Sequence, residues 1–236
     1  MSLIPEALEL YQSTVRVLSS APRSPVDVIF FHNRSYGDAT GLFDIIYESI
    51  KTGTAEFVAV TNNEGERFGS DVPHEANPGK TEYIRQLLTL GIPEERIKIP
   101  KLEAYHTRQE NTAFLNLAKE QRWTIGAILT QPHQALRTML GAVQAMEETG
   151  YPIYLYVLTP RDTPWQEVVK GNQGIEEKPR WQHIEDECVR SLSTYQVTGE
   201  LASLSTLLAY LNARDNKLLD LEVHSFTSKE GTSPLV

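Results

Sequence analysis

Two segments concentrate the side chains able to do chemistry. The first is Tyr105-His106-Thr107-Arg108-Gln109-Glu110-Asn111-Thr112. The second is Leu129-Thr130-Gln131-Pro132-His133-Gln134-Ala135-Leu136-Arg137. Each holds a His and an Arg. An arginine presents a planar fork that matches a carboxylate or phosphate, and a histidine titrates close to neutral pH, so it can take or give a proton. Both segments fall where an apolar strand gives way to a helix, the edge at which open α/β sheets bind ligands. Their pairing predicts one pocket for a polar or anionic small molecule.

Two earlier segments reach the same edge. His32-Asn33-Arg34-Ser35-Tyr36-Gly37-Asp38 follows the first apolar run. A glycine-rich dinucleotide fingerprint belongs at that place, and only Gly37 and Gly41 stand near it, which argues against an ordinary nicotinamide enzyme. Arg34 suits a phosphate or carboxylate, while Asn33 and Asp38 equally suit a turn and a helix cap. Thr61-Asn62-Asn63-Glu64-Gly65-Glu66-Arg67 offers the amides of Asn62 and Asn63 either to a ligand or to a turn. The stretch 68–79, with Asp71, His74 and Glu75, reads as a flap.

Each candidate also has a purely structural reading. Thr107-x-x-Glu110 fits a capping box, in which Thr bonds a backbone N–H and Glu reaches back. That leaves His106, Arg108 and Asn111 without a task. His133 and Arg137 are four residues apart and share a helix face. His133 is the candidate general acid/base with Glu110 as its partner, or else a hydrogen-bonded structural residue. The candidate binding set is Asn33, Arg34, Asn62, Asn63, Arg108, Asn111 and Arg137, with Tyr36, Tyr105 or Trp165 available to stack on a base. No HExxH motif, EF-hand spacing or G-x-S-x-G elbow occurs. His183-Ile184-Glu185 lacks the downstream cysteines of a zinc deaminase and reads as the polar face of a helix.

The elements that must position these residues follow from apolar periodicity. Leu8, Tyr11, Val15 and Leu18 predict an N-terminal amphipathic helix over 3–20. Val26 to Phe31 is a short apolar run, as a strand buried on both faces should be. The spacing then predicts helices at 39–51, from Asn77-Pro78 to Gly91, at 108–121 and at 133–149. Strands are predicted at 56–61, 96–99, 125–130 and 153–158. This alternation predicts a doubly wound, mainly parallel, Rossmann-like α/β core over 26–160, preceded by a helical segment, 1–25. Residues 161–180 read as a long loop. Trp181, Ile184, Cys188, Leu192 and Tyr195 mark one helix, and Leu204, Leu207, Leu208 and Leu211 another, so 161–224 reads as a helical extension. The tail 225–236 has little to bury and is expected to be disordered.

The chain has 236 residues, 40% hydrophobic and 22% charged, which suits one medium domain. A formal charge of −9 argues against a nucleic-acid groove and against an anionic membrane surface. The single cysteine, Cys188, excludes an intramolecular disulfide and multi-thiolate zinc sites and suits a reducing cytoplasm. No apolar run reaches the roughly 18–20 residues that span a bilayer, and Met1 to Ser20 does not have the form of a secretory signal.

In the order of its motifs the chain resembles the YdcF/SanA-like proteins, a bacterial family of Rossmann-like domains. The residues that carry the resemblance are Val26–Phe31, Gly91-Ile92-Pro93, Thr107-Arg108-Gln109-Glu110-Asn111 and Thr130 to Arg137, over about 26–160. Val197-Thr198-Gly199-Glu200-Leu201 is similar to the soluble YdcF branch. Two departures stand out. His32-Asn33-Arg34 replaces a glycine-rich loop. The acidic segment expected before Gly-Ile-Pro has no counterpart in register, because Glu75 lies too far upstream and Glu82 too far downstream. The resemblance implies a ligand pocket and S-adenosylmethionine as its ligand. The expectation is therefore a cytoplasmic protein binding a small anionic or nucleotide-like molecule. The alternative is a hydrolase or transferase acting on a phosphorylated or glycan-type metabolite through His133. A third reading is an interaction module that uses the helical extension as a dimer surface.

Overall fold

The computed structural model describes residues 5–32, 39, 41–64, 78–170, 177–219 and 221. Five strands, β1 (Val26–Phe31), β2 (Ala55–Val60), β3 (Ile97–Lys98), β4 (Ile125–Leu129) and β5 (Tyr154–Leu158), form one parallel sheet in the order β3-β2-β1-β4-β5. The crossovers contain α2 (Leu42–Thr52), α3 (Gly79–Thr89), α4 (Thr107–Gln121) and α5 (Ala135–Thr149). The fold is thus the doubly wound, Rossmann-like α/β arrangement expected from strand–helix alternation. From β1 the chain builds outward through β2 to β3, then returns to lay β4 on the other side of β1. The crevice between the carboxyl ends of β1 and β4 is the topological switch point, where such sheets bind ligands.

Both faces of the sheet are covered, which explains why the strands read as continuous apolar runs. Val28 and Phe30 of β1 pack with Phe114, Met139 and Leu207 on one side, and Phe30 stacks on Phe114 with ring centroids 4.5 Å apart. Ile29 and Phe31 pack with Leu42, Ile46, Tyr83 and Leu87 on the other. The α2 helix ends at Gly53, whose φ of 71° is the left-handed conformation that closes a helix without a Cβ penalty.

The helical segments flanking the core are α1 (Pro5–Ser19) and α7 (Leu204–Asp215), which pack on each other and on α5. Here the expected inward face is corrected. Leu8, Tyr11, Val15 and Leu18 are exposed, Tyr11 at 67%, while Ser13 and Val17 are buried. Helical periodicity located the stripe but not its side, because Leu10, Ser13 and Val17 form a competing stripe that α5 and α7 cover. Residues 161–180 are likewise not all loop. Val168–Lys170 (β6) and Glu177–Pro179 (β7) pair antiparallel, and the chain then enters α6 (His183–Val189) and a π-helical stretch, Arg190–Tyr195. The inward stripe of α6 is polar: His183, Glu187 and then Ser191 are buried, whereas Trp181, Ile184 and Val189 are exposed. His183 is therefore a buried residue and not part of a solvated face.

Asn33, Arg34, Tyr36, the flap residues Asp71, His74 and Glu75, the cap Asn77 and the tail 225–236 lie outside the described residues. Among the described residues, no helix is long and apolar enough to cross a membrane.

Candidate functional site at the carboxyl edge

Strand register sets up the site. Phe31 lies opposite both Val60 and Leu129, so the next residues, His32, Thr61 and Thr130, follow β1, β2 and β4 as one row. All three are buried. A polar row directly beyond an apolar sheet needs partners, because unpaired polar groups are costly to bury. The partners come from the first turn of α4. Nδ1 of His32 lies 2.9 Å from Oε2 of Glu110, and Nε2 lies 3.1 Å from Oδ1 of Asn111. The hydroxyl of Thr61 donates to Oε1 of Glu110 at 3.2 Å. An ionised carboxylate only accepts, so Glu110 holds a proton on Nδ1 and sets the orientation of the ring. The hydroxyl of Thr130 donates to Gln134 at 3.3 Å.

The capping-box reading of Thr107 and Glu110 is not what the helix uses. The residue before α4 is His106, in extended conformation, with no side-chain cap bond. The Thr107 hydroxyl instead accepts from Nη1 of Arg137 at 2.6 Å. Arg137 is buried, and its guanidinium meets the carboxylate of Glu187, which α6 lays across the edge. Burial acts to lower the Arg137 pKa, but the charge and hydrogen bond of Glu187, with help from Tyr195 and Glu110, outweigh it and hold the value above normal. The His133 ring lies 5.9 Å from that of His183, whose Nε2 meets the carbonyl of Val169 at 3.1 Å.

The remaining candidates take up separate positions. Asn62 donates to the Lys101 carbonyl at 3.3 Å and accepts from Lys80 at 2.8 Å. Asn63 donates to the Ala104 carbonyl at 2.9 Å. Both amides thus hold the segment leading into α4 against the end of β2. Arg108 bonds Glu148 of α5 at 2.8 Å, away from the His32 network. Tyr105 bonds Glu103 and Trp165 is partly exposed. A cavity of about 60 Å³ opens beside His106, Thr107, Arg108, Arg137 and Tyr195, which is room for a water or two. Cys188 lies next to Glu187, and burial first, then that charge, push its thiol pKa up, which disfavours the thiolate. Among the described residues no three His, Cys, Asp or Glu side chains are grouped to hold a metal ion.

Sequence reasoning passed over His32, Thr61, Thr130 and Glu187, and gave Thr107 a capping role that the helix does not use. For the first three a signal existed: each is the first polar residue after an apolar run. For Glu187 the signal was the four-residue spacing His183, Glu187, Ser191. The chain matches no protein-family model, no curated protein and no solved structure.

Proposed function

We propose that this chain binds a small polar, nucleotide-like metabolite at the carboxyl edge between β1 and β4, with S-adenosylmethionine as the leading candidate. The observation that carries the reading is the convergence there of buried His32, Thr61, Glu110, Asn111, Thr130 and Arg137. A sheet built only for stability gains nothing from burying so many polar groups at one strand edge. The Arg137 guanidinium already holds one carboxylate, that of Glu187. A ligand carboxylate or phosphate would take the place of Glu187 in the same fork, so binding is an exchange of anions and not the filling of an empty charge. Asn62 and Asn63 hold the wall beside it. The proposal includes a cytoplasmic setting and kinship with the soluble YdcF branch of the YdcF/SanA-like proteins, on the motif order given above.

The test is thermal unfolding with and without S-adenosylmethionine. Binding raises Tm by an amount that grows with ligand excess over Kd, and Thr107→Val reduces the shift. No shift at saturating concentrations rejects the reading.

A second reading, a hydrolase or transferase, rests on His133 beside His183 at the same edge. Glu110, the partner expected for His133, is engaged by His32 and Thr61. This reading requires turnover of a phosphoester that His133→Ala removes while Tm stays unchanged.

A further inference from the structure

The amino edge of the sheet carries a second feature, remote from the site above. A groove of about 690 Å³ opens at the first residues of β4 and β5, between the end of α1 and the end of α7. That volume suits a small organic ligand, for which pockets of roughly 300–1,000 Å³ are usual.

The groove arises from the fold. Leu155 and Val157 of β5 face the layer formed by α1, α4, α5 and α7. Tyr154 and Tyr156, by strand alternation, face the opposite side. Among the described residues only α2 and α3 cover that side, and β5 is an edge strand, so both rings line the groove.

The charge there differs from that of the chain as a whole. Arg23, Arg214 and Lys217 line the groove against one acid, Asp215, in a chain of formal charge −9. Asp215 is already matched by Arg16 at 2.7 Å and by Arg214 at 2.7 Å. Arg214 is buried and fixed, bonding the Leu155 carbonyl at 3.0 Å and the Ser20 hydroxyl at 2.8 Å, with its guanidinium 4.6 Å from the centre of the Tyr156 ring. Arg23 and Lys217 are exposed and have no ion-pair partner among the described residues. Two uncommitted cations thus stand beside two ring faces, one of them already positioned by a buried arginine.

We propose that this groove binds a small phosphorylated ligand that carries a flat ring, of the nucleoside-monophosphate type. Arg23 and Lys217 hold the phosphate as paired positive charges. Tyr154 and Tyr156 stack on the ring, a contact that tolerates any base because every base has a π-face.

The experiment is a calorimetric titration of the full chain with adenosine 5′-monophosphate, and in parallel with adenosine and with inorganic phosphate. The monophosphate is expected to bind, and each half-ligand to bind about tenfold more weakly or worse, the loss of one stacked ring or one phosphate contact. The double variant Arg23→Glu/Lys217→Glu changes only exposed side chains, so it should fold, and it should abolish binding. Tyr154→Ala should weaken binding about tenfold and Tyr154→Phe should not. Thr107→Val, at the opposite edge, should leave the titration unchanged, which separates this groove from the carboxyl-edge site. Absence of binding at millimolar monophosphate overturns the proposal. So does binding that survives the double charge reversal, or inorganic phosphate binding as tightly as the nucleotide.

Discussion

The imidazole of His32 meets the carboxylate of Glu110 at 2.9 Å across 78 positions of chain. This contact ties the end of β1 to the first turn of α4, and with Thr61 it ties in β2 as well. Glu110→Gln keeps the shape but removes the charge that two donors face. Hydrogen bonds to charged groups contribute about 1.5–3 kcal/mol, so a loss of roughly that size is expected in urea unfolding. Glu110→Ala should cost more, about 3–5 kcal/mol, because it removes the buried carboxylate that both His32 Nδ1 and the Thr61 hydroxyl face.

Asn111 and Gly141 form a second coupled pair. A Cβ built on Gly141 would lie 2.7 Å from Nδ2 of Asn111, closer than real contacts allow. Asn111 cannot swing aside without breaking its bond to His32. In an open helix Gly→Ala would stabilise by about 1 kcal/mol, but here the clash should win and destabilise by about 1–3 kcal/mol. In the Asn111→Ala background the same change should become favourable. A double-mutant cycle measured by urea unfolding reads the coupling directly.

Arg137 and Glu187 test the anion-exchange idea. Arg137→Ala takes the guanidinium away from the buried carboxylate of Glu187 and should cost about 3–5 kcal/mol. Glu187→Gln should lower the basal Tm, because the guanidinium loses its counter-charge. It should also enlarge the Tm shift with S-adenosylmethionine, because the ligand anion no longer competes with a carboxylate. A shift smaller than that of the unaltered chain contradicts the exchange.

The pH dependence of stability has a defined sign at Asp215. Burial acts to raise its pKa, but hydrogen bonds and charge from Arg16 and Arg214 outweigh it and hold it below its ordinary 3.8. The unfolded chain therefore takes up this proton first as pH falls. The stabilisation is fully present above the ordinary value and is lost as pH drops through it toward the folded value. The stability difference between the unaltered chain and Asp215→Asn should be constant from neutral pH to about 5 and should shrink towards about pH 3, as followed by urea midpoints.

The parallel core was legible because apolar runs and helical spacing alternate without interruption from Val26 to Leu158. Thr107, Glu110 and Arg137 were singled out, but their roles were not legible. A capping box and a buried network share the same residues, and only strand register, which puts His32 beside Thr61, decides between them. The side on which α1 buries itself was lost for a related reason: two stripes compete, and long-range packing against α5 and α7 selects the one containing Ser13. The buried role of Glu187 depends on α6 lying across the strand edge; the spacing His183, Glu187, Ser191 marks a polar stripe, but it does not say what the stripe packs against.

Hydrogen exchange with and without S-adenosylmethionine tests the central claim most directly. If the carboxyl edge is one ligand site, protection rises together at 61–63, 107–111 and 130–137 and stays unchanged at 154–156. Saturating ligand with no added protection in those three segments, or protection confined to the amino edge, contradicts it.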